Sequence, residues 1–90
     1  MELAALIRAL APEEVVGQAA ADIRDLTYDA RTAVPGSLFF CVAGTRADGH
    51  EFASAAVGNG AVALVVDRRL EIEVPQVVVS DVRAAMAIAA

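Results

Sequence analysis

The residues best suited to bind a ligand lie in the stretch Gly44-Thr45-Arg46-Ala47-Asp48-Gly49-His50, between a predicted buried strand and a predicted helix. In an open α/β sheet, ligands bind at the carboxyl ends of the strands, and the unpaired N–H groups of a helix N-terminus favour anionic groups. Arg46 adds a permanent positive charge with a planar donor fork that suits phosphate. The stretch therefore predicts a phosphate-binding loop, although an ordinary connection between a strand and a helix can have the same residue types.

A second candidate is Tyr28-Asp29-Ala30-Arg31, near the carboxyl end of an earlier predicted strand. Asp29 and Arg31 can hold the loop together by hydrogen bonds to the backbone, which would be a purely structural role. In the functional alternative, Ala30 presents its backbone to a ligand while Arg31 or Tyr28 packs beside that ligand. Residue types alone leave both interpretations open.

His50 and Cys41 are the only histidine and the only cysteine. A metal site needs several ligands at matched spacing, so no metal site is predicted. His50 lacks a convincing partner for acid-base catalysis and is predicted to lie on the surface of a helical first turn. Cys41, inside the run Leu38 to Val42, is predicted to be a small buried hydrophobe. No nucleoside triphosphate loop, dinucleotide fingerprint or hydrolase motif occurs, and no catalytic residue is predicted.

The predicted phosphate loop belongs to a strand-helix-strand unit. Residues 38–43 and 61–66 are apolar at every position, which is typical of strands covered on both faces. Asp48 and Glu51 have the spacing of a capping box at the start of a helix, and Gly58-Asn59-Gly60 favours the end of that helix. The pattern predicts a right-handed βαβ unit with parallel strands.

The remaining elements are predicted from spacing and turn residues. Residues 67–74 read as an exposed connection or an edge, residues 13–21 are ambiguous, and Pro35-Gly36 predicts a tight turn. The first helix is predicted from the spacing of Leu3, Leu6, Ile7 and Leu10, and two further strands are predicted at 22–28 and 76–79. A C-terminal helix is predicted with Ser80 as its N-cap and with a buried side formed by Val82, Ala85, Met86 and Ala89. The predicted fold class is α/β, a small mixed sheet containing the βαβ unit and flanked by helices.

Composition excludes several classes of protein. The chain has 90 residues, 58% of them hydrophobic, and a formal net charge of -5. This length predicts a single domain over residues 1–90, and the composition predicts a globule. The acidic balance argues against nucleic acid as a partner. No signal peptide or apolar run long enough for a bilayer is present, so a cytoplasmic location is expected. Because the last helix has no stop signal, the polypeptide is expected to continue past residue 90.

An ordered set of motifs resembles the N-terminal domain of the Mur ligases. The resemblance covers roughly residues 22–90, and the ordered set is more specific than any one motif. Its parts are Tyr28-Asp29-Ala30-Arg31, the run from Val34 to Val42, Gly44, Asp48-Gly49-His50, Phe52, Gly60 to Val66, Pro75 to Val79, Asp81-Val82-Arg83 and Met86. The sequence Leu-Phe-Phe-Cys-Val is most similar to that of the branch whose members add the third amino acid, diaminopimelate or lysine, to UDP-MurNAc-L-Ala-D-Glu.

The resemblance implies a division of labour among three domains. The first domain holds the uridine diphosphate end of the precursor, the central domain carries the ATP loop, and the C-terminal domain brings the amino acid. ATP and magnesium are expected for the full-length enzyme, whose precursor carboxylate becomes an acyl phosphate that the incoming amine attacks. The 90 residues lack the central and C-terminal domains and are expected to be inactive alone, with UDP-MurNAc-dipeptide and the central domain as partners. The implied substrate-binding residues are Tyr28, Ala30, Arg31, Thr45, Arg46 and Ala47.

One position departs from the family pattern. Ala30 stands where the family usually has Ser, so a side-chain hydrogen bond to the nucleotide would be lost, at a cost of about 0.5 to 1.5 kcal/mol. Two alternatives to the third-residue branch stay open. The chain could belong to the branch that adds D-alanyl-D-alanine, or it could be a non-enzymatic α/β module whose alanine-rich last helix docks on a partner.

Overall fold

The computed structural model describes residues 1–43 and 48–89 and shows one five-stranded sheet with helices on both faces. The spacing of Leu3, Leu6, Ile7 and Leu10 correctly predicted the first helix. In chain order the elements are α1 (Leu3–Leu10), β1 (Glu14–Val16), β2 (Asp25–Thr27), a 3-10 turn (Ala30–Thr32), β3 (Ser37–Phe40), a second 3-10 turn (Gly49–Phe52), α2 (Ala53–Gly58), β4 (Ala63–Val66), β5 (Gln76–Val78) and α3 (Val82–Ala89).

The sheet is mixed, as predicted. Its strand order is β1-β5-β4-β3-β2, with β1 antiparallel to β5 and every other neighbouring pair parallel. The β3-α2-β4 unit has the predicted parallel strands, and Phe39 lies opposite Leu64 in their register. Residues 13–21, ambiguous from sequence, contribute the edge strand β1. All four parallel strands end at the same edge of the sheet, which is the edge where the candidate site lies.

The sheet has an apolar core on each face. One core packs α1 and α3 against residues such as Leu38, Phe40 and Val65. The other packs α2 and the first 3-10 turn against residues that include Phe39 and Leu64. Because successive strand residues point to opposite faces, both faces of β3 and β4 are apolar, and every residue of these two strands is buried. The prediction of strands covered on both faces is confirmed.

The chain turns into β3 through the predicted tight turn. Gly36 adopts φ +91°, a conformation that L side chains rarely adopt, and the Ser37 N–H donates to the Val34 carbonyl at 3.0 Å. An ideal Cβ on Gly36 would lie 2.7 Å from the Cδ of Arg24, an exposed and flexible side chain that can move aside. The positive φ is therefore the reason that this turn favours glycine.

Two helix starts differ from the predictions. The segment after Asp48 begins as a 3-10 turn rather than an α-helix, and the Asp48 carboxylate accepts from the His50 N–H at 3.0 Å. At α3 the cap is Asp81 and not Ser80, because the Asp81 side chain accepts from the Ala84 N–H at 3.1 Å. In both cases an aspartate carboxylate close to the first free N–H groups takes the capping role.

The connection between β4 and β5 is neither an edge strand nor fully exposed. Leu70, Ile72 and Val74 pack against the core on the α2 face. The buried Gln76 amide holds this connection, accepting from the Leu70 N–H at 2.8 Å and donating to the carbonyls of Leu70 and Ile72 at 2.8 and 3.1 Å. A charged sequence is thus tied to the sheet by one buried side chain.

Candidate functional site

A concave pocket opens near the carboxyl end of β2 and the start of α2. Its volume is about 450 Å³, which is within the range of small-ligand sites. The lining is mainly apolar, with one acidic and one basic side chain. It consists of Tyr28, Asp29, Ala30, Arg31, Phe39 and Phe52. The pocket therefore brings together Tyr28, Ala30 and Arg31, the three predicted site residues of the Tyr28-Asp29-Ala30-Arg31 motif.

Asp29 and Arg31 form a tight local pair at the rim of this pocket. The Asp29 carboxylate accepts from the Arg31 N–H at 2.9 Å and from the guanidinium Nε and Nη2 at 3.1 and 2.8 Å. These hydrogen bonds hold the pKa of Asp29 below its ordinary value and raise the pKa of Arg31. The structural role considered from sequence is present, and one edge of the Arg31 fork is already engaged within the loop.

Ala30 is buried beneath the pocket, with its carbonyl committed to the fold. That carbonyl accepts from the Asn59 Nδ2 at 2.9 Å, so the first 3-10 turn is fastened to the end of α2. Ala30 also packs into the core on the α2 face. Because its carbonyl is already hydrogen-bonded to Asn59, Ala30 cannot offer a free carbonyl to a ligand as predicted. Its small side chain forms part of the pocket wall.

Two exposed aromatic rings flank the pocket. Tyr28 is 67% exposed and Phe52 is 47% exposed, although large apolar side chains are usually covered. Tyr28 was among the predicted site residues. Phe52 was not among the predicted site residues. The signal that could have found it is the aspartate-capped turn, which places Phe52 at the end of a 3-10 segment.

Thr45, Arg46 and Ala47, the other three predicted contacts, lie outside the described residues. The residues on either side of them are fixed. Ala43 and Asp48 pair in an antiparallel bridge, and the Gly49 N–H donates to the Val42 carbonyl at 2.8 Å. A Cβ on Gly49 would lie 2.6 Å from the Val42 backbone nitrogen, so only glycine permits this close approach.

His50 is buried, which corrects the prediction that it lies on the surface. Only 6% of the residue is exposed, and it sits between the ends of β3 and β4. The Asp67 N–H donates to its Nε2 at 3.1 Å, so Nε2 is an acceptor and the proton resides on Nδ1, which donates to Asp48. The Asp67 carboxylate also lies 3.1 Å from Nε2. His50 thus has an oriented partner on each side, and both ring nitrogens are used within the fold.

Arg68 closes this arrangement from the solvent side. Its Nη2 donates to the Asp48 Oδ2 at 2.8 Å and its Nη1 to the Asp67 Oδ1 at 3.0 Å. The backbone hydrogen bond from His50, followed by that from Arg68, holds the pKa of Asp48 well below its ordinary value, while Asp48 raises the pKa of Arg68. Nearby, burial raises the pKa of the Cys41 thiol to about 12, so the thiol is not a nucleophile near neutral pH. We call Asp48, His50, Asp67 and Arg68 the edge cluster.

Two features were sought in the described part of the chain, namely clusters of metal ligands and helices that could span a membrane. Among residues 1–43 and 48–89, no group of three or more histidine, cysteine, aspartate or glutamate side chains could hold a metal ion. None of the helices described in those ranges has the length and apolar character needed to cross a bilayer.

Comparison with known proteins identifies the family. Residues 22–90 match the Mur ligase family, catalytic domain. The chain belongs to the Mur ligase family. It is 45% identical over 87 residues, 97% of its length, to the UDP-N-acetylmuramoyl-L-alanyl-D-glutamate--2,6-diaminopimelate ligase of Halalkalibacterium halodurans. It is 58% identical over 69 residues, 77% of its length, to the enzyme of the same name from Geobacillus thermodenitrificans.

Solved structures of Mur ligases share the fold. The crystal structure of MurF from Acinetobacter baumannii superposes with a TM-score of 0.85 and 28% sequence identity over 97% of this chain. This Mur ligase chain spans only 18% and 14% of the two curated relatives and 19% of the MurF chain. The predicted family and fold class are confirmed, and the family match favours a ligase over a non-enzymatic module.

Proposed function

We propose that this chain is the uridine-nucleotide-binding domain of a cytoplasmic, ATP-dependent ligase that adds diaminopimelate to UDP-MurNAc-L-Ala-D-Glu. The observation that carries the proposal is the 45% identity to a diaminopimelate-adding ligase over 97% of the chain. Residues 1–90 form a single domain whose task is to hold the precursor. The catalytic and amino-acid-binding parts belong to the rest of the polypeptide.

The pocket beside β2 supports a nucleotide as its occupant. Uracil is a flat ring with apolar faces, and aromatic side chains bind nucleobases by stacking. Tyr28 and Phe52 supply exposed aromatic surface at the pocket, and the Arg31 guanidinium, paired with Asp29, lines the same pocket. The pocket also lies at the carboxyl edge of the parallel strands, where ligands of α/β sheets bind. The predicted diphosphate contacts Thr45, Arg46 and Ala47 follow β3 in the sequence.

We expect ATP and magnesium to bind the rest of the ligase. The sequence contains no phosphate loop and no lysine, since its seven basic residues are all arginine. The described residues offer no set of metal ligands either. Activation of the precursor carboxylate is therefore assigned to the remainder of the ligase, and the role of this domain is binding and orientation.

Titration of the 90-residue chain with uridine 5′-diphosphate tests the binding role. In ¹H–¹⁵N NMR spectra we expect dose-dependent shifts at the amides of Tyr28 to Arg31, Phe52 and Thr45 to Ala47, with the amides of α1 unchanged. Adenosine 5′-diphosphate is the matched control, because it has the same diphosphate and a different base. A folded spectrum that does not change at millimolar uridine diphosphate would overturn the binding role.

One observation favours a second branch of the family. Solved structures that share the fold include MurF enzymes and a UDP-N-acetylmuramoylalanyl-D-glutamyl-2,6-diaminopimelate--D-alanyl-D-alanyl ligase from Acinetobacter baumannii. Phosphate release by the full-length ligase separates the branches. We expect turnover with UDP-MurNAc-L-Ala-D-Glu and diaminopimelate, and little with lysine. Turnover only with the tripeptide precursor and D-alanyl-D-alanine would move the chain to the second branch while leaving the nucleotide role intact.

A further inference from the structure

We propose that Asn59 is a positioning residue of the nucleotide pocket and sets the distance between the two walls of that pocket. The inference deepens the proposed function and rests on it. One wall is residues 28–31, which follow β2, and the other is Phe52, which precedes α2. The described lining of the pocket does not include Asn59. Asn59 lies at the opposite end of α2 from Phe52 and is hydrogen-bonded to the first wall.

The first step of the argument is how residues 28–31 are attached to the rest of the domain. They follow β2, a strand of three residues at the edge of the sheet, which pairs with β3 on one side. In the described part of the chain, the Asn59 Nδ2 donates to the Ala30 carbonyl at 2.9 Å. Every other side-chain hydrogen bond described for residues 28–32 joins residues 27–32 to one another. Those bonds shape the turn, whereas the bond from Asn59 attaches it to α2.

The second step is the packing between this turn and α2. Ala30 and Ala33 share the apolar core with Ala53 and Ala56 of the helix. An alanine methyl group removes little apolar area from water, so each of these contacts stabilises the arrangement only slightly. Small side chains let the turn approach the helix closely, and a hydrogen bond adds a preferred direction and distance. Asn59 therefore determines where along the helix the turn is held.

The third step is that α2 is fixed to the sheet at both ends. Before the helix, the His50 imidazole accepts from the Asp67 N–H at 3.1 Å, just beyond β4. After the helix, the Gly60 carbonyl accepts from the Gly36 N–H at 3.0 Å, just before β3. A helix held at both ends is a rigid frame. A turn fastened to one end of that frame is thereby held at a set distance from Phe52 at the other end.

The fourth step is that backbone conformation does not explain an asparagine at position 59. Asparagine often ends helices because it tolerates the left-handed conformation. Asn59 instead has φ -89° and ψ -1°, which is right-handed and open to most residues. Its N–H donates to the carbonyls of Ala55 and Ala56 at 3.0 and 3.1 Å without using the side chain. Because Asn59 is exposed, its replacement should leave the core and the end of α2 intact.

The test measures the affinity of the 90-residue chain for uridine 5′-diphosphate by calorimetry. We expect Asn59→Ala and Asn59→Ser to weaken binding about threefold, the effect of losing one partly buried neutral hydrogen bond. The matched control is Ser54→Ala, which removes a polar group from an exposed position of the same helix and should bind like the wild type. Thermal melts establish that each variant is folded.

A double-mutant cycle with Phe52→Leu gives a readout that a general loss of stability would not move. If Asn59 sets the distance between the walls, the ring of Phe52 stacks less well once Asn59 is replaced. Phe52→Leu should then weaken binding less in Asn59→Ala than in the wild type, and the combined loss should be smaller than the product of the single losses. Two independent sites would instead give losses that multiply, and that result would overturn the inference.

A ligand-free measurement separates this inference from the proposed function. Without nucleotide, ¹⁵N relaxation should give lower order parameters for the amides of residues 29–32 in Asn59→Ala, but not in Ser54→Ala. Unchanged order parameters would overturn the positioning role even if the wild type binds. Equal affinity losses in Asn59→Ala and Ser54→Ala, or no loss in either, would also overturn it. Failure of the folded wild type to bind uridine diphosphate would instead overturn the proposed function.

Discussion

Replacing Phe52 by leucine tests whether an aromatic wall binds the base. Stacking of a nucleobase on an aromatic side chain contributes about 1 to 3 kcal/mol. Phe52 is 47% exposed in the free chain and shares the pocket with Tyr28, so a value near the lower end applies to it alone. Leucine keeps part of the apolar contact. We therefore expect Phe52→Leu to weaken uridine diphosphate binding by about 1 kcal/mol, or roughly fivefold.

Calorimetry with two ligands isolates the contribution of the base. Uridine diphosphate contains the base and the diphosphate, whereas inorganic pyrophosphate contains only the latter. If Phe52 stacks on uracil, Phe52→Leu should weaken the first ligand and leave the second unchanged, and Tyr28→Leu should behave in the same way. Urea denaturation should show nearly wild-type stability, because the ring is largely outside the core. Equal loss for both ligands, or no loss for uridine diphosphate, would refute the stacking argument.

Four further predictions test separate parts of the structure. Ala30→Ser should tighten uridine diphosphate binding by up to roughly tenfold, as one restored hydrogen bond predicts; unchanged calorimetry would show that no hydroxyl partner exists there. Gln76→Leu should lower the free energy of unfolding by about 2 kcal/mol. The three lost hydrogen bonds contribute about 0.5 to 1.5 kcal/mol each, and water that reaches part of the segment offsets some of the loss. The control Gln18→Leu, at an exposed position, should leave urea denaturation unchanged. The pKa of Asp48 is lowered by folding, so the stability that its carboxylate contributes is fully present above the ordinary pKa of 3.8 and is lost as the pH falls below that value. The free energy of unfolding, measured by urea denaturation at a series of acidic pH values, should therefore decrease less steeply for Asp48→Asn than for the wild type. Cys41, with its pKa raised to about 12 and its side chain buried, should react with a thiol reagent at pH 8 only after unfolding; fast labelling of the native chain would contradict the core placement.

The fold was predictable where a sequence pattern repeats over several residues. The uniformly apolar runs gave β3 and β4 with both faces buried, and the leucine spacing gave α1. The short edge strand β1 was not predictable, because Glu14, Val15 and Val16 do not show the alternation of buried and exposed positions that marks a half-buried strand. Its pairing with β5 comes from contacts with residues 60 to 64 positions away in the chain, which no local pattern encodes.

The candidate site was predictable only where its residues are neighbours in sequence. Tyr28, Ala30 and Arg31 were found because one short motif contains them, and they do share a pocket. The edge cluster joins Asp48 to Arg68 and His50 to Asp67 across 20 and 17 positions. Side-chain partnerships over such separations depend on strand register, so a lone histidine without a second ligand nearby was read as surface.

The placement of His50 and Phe52 has a specific backbone cause. His50 was predicted to lie on the surface of a helical first turn, whereas the structure buries His50 and leaves Phe52 47% exposed. The first turn is a 3-10 segment capped by Asp48, with about 3.0 residues per turn rather than about 3.6. Side chains in such a turn rotate farther per residue, so the buried stripe of α2, which contains Ala53 and Ala56, does not extend back through Phe52. The same tight turn, capped by Asp48, directs the His50 imidazole toward the strand ends and the Phe52 ring toward the pocket.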